Sequence, residues 1–208
     1  MWEDSNWSDD KTDKVIQDGM YVDAKTSVES KALKRLIKNQ TIHTLKAKAL
    51  SDLCIKPKPN EQYRIITEKQ FNAYALILHA IETEIIKDLY LSIYRINEPT
   101  VKSIIQLIES GTIQNATFVI SNFFNQTKKP ERWAIELKDY SDTKENVKHV
   151  YIHNHSKVVA METTINNYYV FEGSGNMSDN ARIEQYIYEN NKEVFDFHKN
   201  WMSDLITK

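Results

Sequence analysis

The sequence predicts an α/β domain whose mixed β-sheet is flanked by helices, preceded by an N-terminal extension that is helical or partly disordered. Three observations lead there. From Tyr63 onward, short apolar runs of strand character alternate with segments whose apolar residues recur at helical spacing. Such alternation favours strands buried between helices. The 208 residues are 41% hydrophobic, enough for one medium domain with a core and an extension. Composition also changes near Pro57, which divides a polar extension (1–57) from the domain (58–208).

The elements follow in order. Residues 1–30 are polar and charged without sustained periodicity. Residues 28–57 carry Lys/Arg at seven positions against the acids Glu29 and Asp52, with Leu33, Leu36, Ile37, Leu45 and Leu50 at loosely helical spacing. They read as one or two basic amphipathic helices, either a solvated face or a basic arm. "KPKPNEQ" reads as a linker. "YRIIT" is a strand, with Thr67 placed to cap the next helix and Gln70 at the capping-box position. That helix covers "EKQFNAYALILHAIETE". "DLYLSIYRI" is a strand, and "EPTVKSIIQLIESG" a helix with Pro99 near its start and Gly111 past its end. "ATFVIS" is a strand and "PERWAIELKDY" a helix. "HVYIHNHSKVVAMET" and "NYYVFE" are strands meeting at a turn around Ile165-Asn166-Asn167. The last helix is "NKEVFDFHKNWMSDLI", with Val194, Phe197, Trp201 and Leu205 on one face.

Charge and cysteine use narrow the function classes. A formal charge of -2 gives no global affinity for nucleic acid or membrane, so any basic surface is local. No apolar run approaches a membrane span, and "MWEDSNWSDD" is the opposite of a secretory signal. Cys54 is the single cysteine, which fits a reducing cytoplasm and reads as a small buried filler rather than a nucleophile.

The chemistry gathers between His153 and Asn176. Residues two apart on a strand share a face, so His153, His155 and Lys157 point the same way. The adjacent strand ends at Gly173-Ser174-Gly175-Asn176, which holds two of the chain's four glycines. Glycines there let the backbone turn tightly and leave room for a close approach. An imidazole, an ammonium, a hydroxyl and a carboxamide around one gap are donors plus a nucleophile. That set suits a phosphate.

This arrangement resembles the phospholipase D superfamily, whose signature is His-x-Lys, then an acid, then Gly-Ser-x-Asn. Here it stands as His155-Ser156-Lys157, Glu162, and Gly173-Ser174-Gly175-Asn176, with Glu184 eight residues beyond. The strand and helix order over 63–120 fits a phospholipase D-like half. The resemblance implies that His155 attacks phosphorus to form a phosphohistidine, while a second histidine protonates the leaving group and later activates water. It implies that Lys157, Ser174 and Asn176 bind phosphoryl oxygens, that Glu184 orients the His155 ring, and that no metal or other cofactor is required. Glu162 replaces the usual aspartate, and the hairpin after it is longer than the tightest form of the signature. Glu162 therefore counts as a supporting residue, structural or catalytic.

One count sets the assembly. The superfamily needs two His-x-Lys sets per active site, and His43, His79, His149 and His198 are not followed two residues later by lysine. The resemblance thus implies a homodimer with a shared active site. The expected function is a metal-independent nuclease cleaving DNA or RNA, with the 31–56 segment and Lys128-Lys129 as phosphate contacts and no membrane partner. The alternatives are a nucleic-acid-binding or scaffold protein with a vestigial site, and a phospholipid phosphodiesterase. A zinc site begun by His153 and His155 lacks a downstream Asp-His pair, and the "HNH" spelling at 153–155 is accidental.

Overall fold

The computed structural model describes residues 41–47, 56–68, 72–125, 130–178 and 183–207. All of them belong to one compact unit spanning residues 33–208. The strands are β1 (Thr41–Ala47), β2 (Glu61–Glu68), β3 (Ile86–Ile93), β4 (Ile113–Ser121), β5 (Val147–Ile152), β6 (Val158–Thr163), β7 (Tyr168–Gly173) and β8 (Ile183–Asn190). The helices are α1 (Tyr74–Ile81), α2 (Glu98–Glu109), α3 (Arg132–Asp142) and α4 (Lys192–Ile206). The sheet runs β1-β2-β8-β7-β6-β3-β4-β5. The β1/β2, β3/β4 and β4/β5 pairs are parallel, and β2/β8, β8/β7, β7/β6 and β6/β3 are antiparallel. The expected mixed sheet between helices is the architecture observed.

Strand alternation divides the core into two layers. Leu91, Phe118, Val159, Met161, Phe171 and Tyr188 face the larger cluster, with Leu76 and Ile77 of α1, Val101 and Ile104 of α2, and Trp133 and Leu137 of α3. Their neighbours Val119, Val158, Ala160 and Val170 face α4 through Val194, Phe195, Met202 and Leu205. Every residue of β6 is buried, and its sequence is apolar from Val158 to Met161 before ending in Glu162 and Thr163.

Several helix ends follow their local chemistry. Asn97 caps α2, its carboxamide oxygen accepting from the Thr100 N–H at 3.0 Å, with Pro99 in the first turn. Gly111 follows with φ of 76°, a conformation that glycine adopts without steric cost. Asn191 caps α4 by accepting from the Val194 N–H at 3.1 Å. In the β6/β7 turn, Asn166 takes the left-handed conformation (φ 64°) and its N–H donates to the Thr163 carbonyl at 3.0 Å. The turn stands where the paired asparagines place it.

Four expectations need correction. Residues 41–47 form a strand beside β2, not part of a basic helix. The helix expected over 68–84 is α1, Tyr74–Ile81, and Thr67 lies buried inside β2 instead of capping it. Asn72 serves that end, accepting from the Tyr74 N–H at 3.0 Å. The buried face of α4 carries Phe195, His198 and Met202 with Val194 and Leu205, while Phe197 and Trp201 are half-buried. Strand β8 was not anticipated, because "RIEQYIYEN" mixes charge into both of its faces. Residues 28–40 and 48–55 of the expected basic helices, which include Cys54, and also Gln70 and Lys128-Lys129, lie outside the described residues.

One buried carboxylate ties the linker to the hairpin. Glu84 accepts from Tyr169 Oη at 2.8 Å and Asn167 Nδ2 at 2.9 Å, with Lys56 Nζ 3.4 Å away. Lys56 Nζ also donates to the Ala80 carbonyl at 2.7 Å, fixing the linker on α1. Burial pushes the Glu84 carboxyl up, but the hydrogen bonds from Asn167, Tyr169 and Thr163 and the Lys56 charge outweigh it and hold it below its ordinary value. A depressed folded-state value stabilises the fold above the ordinary carboxylate range, and that contribution is lost as pH falls through the depressed value. Glu84→Gln is therefore expected to cost about 2 kcal/mol at pH 7 and to lose less stability than wild type on further acidification. Urea unfolding at pH 7 and pH 3 measures both. Equal losses on acidification would remove Glu84 from the account.

Candidate active site

The chain must pass from edge strand β5 to β6, which lies beyond β4 and β3 in the sheet. Residues 153–157 make this crossing at the carboxyl ends of β3 and β4. The strand expected over 149–163 is thus two strands with a loop between them. Asn154 pins the loop. Its Nδ2 donates to Val119 O at 2.9 Å, Ser92 Oγ at 3.0 Å and Ile93 O at 3.3 Å. Its Oδ1 accepts from the Ser156 N–H at 2.9 Å and the Ser156 hydroxyl at 2.7 Å. Ser92, fully buried in β3, lies 2.5 Å from Ser156 Oγ. Sequence reasoning passed over Asn154 and Ser92. The available signal was an asparagine inside a supposed strand, where that residue is disfavoured.

On this loop His155 is exposed and Lys157 half-buried. Lys157 Nζ stands 3.2 Å from His155 Nδ1 and donates to the His155 carbonyl at 2.7 Å. An ammonium only donates, so Nδ1 is the acceptor and a neutral ring carries its proton on Nε2. The Tyr94 ring packs against His155 at 4.7 Å, with Lys157 Nζ 5.6 Å from the Tyr94 centroid. Burial pushes the Lys157 ammonium below the ordinary lysine range, and the Glu184 carboxylate opposes that fall. His153 is exposed one residue outside the Asn154 anchor. Among the described residues no three His, Cys, Asp or Glu side chains gather closely enough to hold an ion, so His153 and His155 have no third protein ligand beside them.

Antiparallel pairing of β6 and β7 brings the second half of the motif to the same end of the sheet. The Gly173 N–H donates to the Lys157 carbonyl at 3.3 Å. A Cβ at Gly173 would stand 2.1 Å from Tyr186 Cδ1 and 2.4 Å from the Gln185 carbonyl, so close strand approach requires this glycine. Asn176 Oδ1 accepts from the Arg95 N–H at 3.1 Å, which turns the NH2 end of the carboxamide into the donor. Met177 pairs with the chain at Arg95–Asn97 and fixes that segment beside Tyr94. The Ser174 hydroxyl donates to Glu184 Oε2 and accepts from the Gln185 N–H at 3.1 Å. Glu184 is thus held by Ser174 and lies close enough to Lys157 to act on its charge, whereas the motif implied a bond to the His155 ring.

Glu162 lies elsewhere. It sits near the far end of β6, on the α4 face, 2.7 Å from Lys87 Nζ and mostly buried. Five residue steps along the strand, about 17 Å, separate it from Lys157. Its geometry is that of a structural ion pair.

A further cluster holds β7 from below. The Trp201 indole donates to His198 Nδ1 at 3.0 Å, which leaves the His198 proton on Nε2, 2.9 Å from Glu172 Oε1. Glu172 immediately precedes Gly173, so α4 is bonded to the strand end that carries Ser174 and Asn176. His198 was weighed in the sequence only as a histidine without a following lysine, although an i,i+3 His-Trp pair on the final helix was visible.

Solved structures similar to the chain include two whose alignments cover more than half of it. One is a phospholipase D family member, Nuc, from Salmonella typhimurium, with 15% identity over 69% of this chain and 93% of that one and a TM-score of 0.48. Another is a mutant of yeast tyrosyl-DNA phosphodiesterase 1, with 17% identity over 60% of this chain and 27% of that one and a TM-score of 0.36. No protein-family model and no curated protein matches the chain.

The opposed influences on Lys157 give a prediction. Glu184→Gln removes the charge that holds the ammonium up, so the titration midpoint of Lys157 is expected to fall further below the ordinary value of about 10.4. Side-chain NMR of the labelled lysine reads it directly. A midpoint unchanged or raised would mean that Glu184 does not act on Lys157.

Proposed function

We propose that the chain is a phospholipase D-like phosphodiesterase that works as a homodimer on nucleic acid. The observation that carries this reading is the convergence at one sheet end of an exposed imidazole (His155), an ammonium 3.2 Å from it (Lys157) and an oriented carboxamide (Asn176). These groups supply a nucleophile and two donors for a phosphodiester anion.

The chemistry runs in two displacements. In the first, His155 Nε2 forms a bond to phosphorus as the P–O bond to the leaving alcohol breaks, and the protonated His155 of the partner subunit gives its proton to that oxygen. In the second, the now neutral imidazole of the partner's His155 takes a proton from water, the hydroxide oxygen bonds to phosphorus, and the P–N bond breaks. Lys157 and Asn176 stabilise the charge on the non-bridging oxygens, and Ser174 joins them when its hydroxyl turns from Glu184. Nucleophilic Nε2 needs the ring proton on Nδ1, so Lys157 must leave Nδ1 first. An arriving phosphate draws it away, because an anion is a stronger acceptor than a neutral imidazole. With Lys157 displaced and Ser174 turned away, Glu184 is the acid we assign to accept the Nδ1 hydrogen bond, a role it does not fill in the structure, where it holds Ser174. No metal enters these steps.

Nucleic acid is favoured as substrate by the basic 31–56 segment in the sequence and by the exposed Arg95 beside Asn176. None of the described helices is long and apolar enough to cross a membrane.

Two measurements test the reading. Cleavage of plasmid, single strands or RNA is expected to survive excess chelator. Complete loss with rescue by zinc or magnesium would replace this mechanism with a metal-dependent one, and turnover of labelled phospholipid alone would replace the substrate. For the shared site, wild-type and His155→Ala chains are mixed in equal amounts and allowed to exchange. Activity is expected to fall to about a quarter, the fraction of all-wild-type dimers from symmetric pairing. A fall to about half would show that each chain carries a complete site, the outcome for independent chains. Because one imidazole must be neutral while its mate is charged, activity is also expected to be bell-shaped in pH, as for a coupled pair.

A further inference from the structure

From the exposed ring of Phe123, packed on Tyr94, whose ring in turn meets the catalytic histidine, we infer that the site takes single-stranded nucleic acid, with an unpaired base stacked on Phe123. The inference rests on the reading of His155 and Lys157 as a phosphodiester site and names the substrate form that site accepts.

Phe123 is 60% exposed, in a 3-10 turn (Asn122–Phe124) that directly follows β4. Isolated exposed apolar residues are ordinary, so exposure alone says little. The placement carries the argument. Phe123 and Tyr94 have ring centroids 6.4 Å apart with 34° between their planes, and Tyr94 in turn contacts His155 at 4.7 Å. Three rings therefore run from solvent to the imidazole. The turn is held in place: Ser121 Oγ accepts from the Phe123 N–H at 3.4 Å, the Asn125 N–H donates to the Asn122 carbonyl at 3.0 Å, and Asn122 is buried. A ring presented from a fixed backbone binds with little ordering cost.

The surroundings select a base over an acyl chain. Lys157 Nζ lies over Tyr94, and Arg95 is exposed on the next residue, so the rings are rimmed by cations that suit a phosphate backbone. A lipid chain needs continuous apolar surface. The exposed Ile66 and Ile183 lie on β2 and β8, and β8 is four strand positions from β4, about 19 Å. In a duplex both faces of a base are already stacked, so only an unstacked base offers a face to Phe123. A cationic track with aromatic rings is how proteins hold single strands without sequence preference.

The test uses the full chain and short phosphorothioate oligonucleotides, which keep the backbone charge and resist cleavage. One probe carries all its bases and the other has abasic residues at the central positions. Fluorescence anisotropy gives both affinities for wild type, Phe123→Ala and Phe123→Leu. Removing the bases is expected to weaken wild-type binding by about 5- to 100-fold, the range for base–aromatic stacking, and this penalty is expected to fall towards one in Phe123→Ala. Phe123→Leu, which keeps apolar area but not the π-face, is expected to behave like Phe123→Ala. The inference is overturned if wild type binds both probes alike, if the penalty is the same in Phe123→Ala, or if leucine preserves it. Turnover plays no part in this measurement. Loss of cleavage in wild type would strike the phosphodiesterase reading, and loss of the base penalty would strike this one.

Discussion

The site depends on a crossing of five residues. Between β5 and β6 the chain must pass over the carboxyl ends of β4 and β3, and it does so along 153–157. A loop in that place runs above strand ends whose last carbonyls still need partners. Asn154 meets this need, bonding Ile93 O and Val119 O from above while its own oxygen holds Ser156. The same bonds that satisfy β3 and β4 therefore fix the backbone on either side of His155. His155 points to solvent because its neighbours Asn154 and Ser156 are turned inward to Ser92. Position on the sheet matters as well: crevices at the carboxyl ends of parallel strands are the usual ligand sites of open α/β sheets.

Antiparallel pairing then assembles what the sequence separates. Lys157 and Gly173 are sixteen residues apart in the chain but joined by one backbone hydrogen bond at the mouth of the β6/β7 hairpin. The length of the hairpin is immaterial to this meeting, because any residues added to both arms extend it away from the site. That accounts for a longer hairpin than the tightest form of the motif without harm to the geometry at its base. Glu162, by contrast, travels outward with the hairpin and ends in an ion pair with Lys87. Beneath β7, the Trp201–His198–Glu172 chain of hydrogen bonds connects α4 to the last residue before Gly173. A buried imidazole with both nitrogens engaged is a rigid spacer, and its rigidity is passed to the loop that carries Asn176.

Much of this was legible in the sequence, and the failures have physical causes. Pro99, Gly111 and the Asn166-Asn167 turn act through local backbone chemistry, so they read correctly without any tertiary context. Thr67 did not. Its hydroxyl fits a cap by local rules, but pairing of β2 with β8 carries the strand past it. The 41–47 segment shows the same override: the loosely helical spacing of apolar residues across 33–50 scans as a helix face, and a parallel ladder with β2 makes 41–47 a strand. His155, Lys157, Ser174 and Asn176 could be singled out because motif spacing is read from the sequence alone. Tyr94, Asn154 and Phe123 were not, because each matters only through a neighbour more than twenty residues away in sequence.

The commitments of the site's polar groups bear on how it works. Lys157 is bonded to the histidine beside it, Ser174 to Glu184, and Asn176 to the Arg95 backbone. The last of these spends the carboxamide oxygen, so the NH2 is the end of Asn176 that donates. The other two place a cation and a hydroxyl where each has a local acceptor in place of a substrate oxygen. An anion competes with both acceptors at once, and the neutral imidazole is the weaker of the two. On the proposed reading an arriving phosphate would move Lys157 before Ser174, and that movement would change which nitrogen of His155 carries the proton. On that reading, substrate binding and activation of the nucleophile would be one event, on a loop whose backbone Asn154 holds in place.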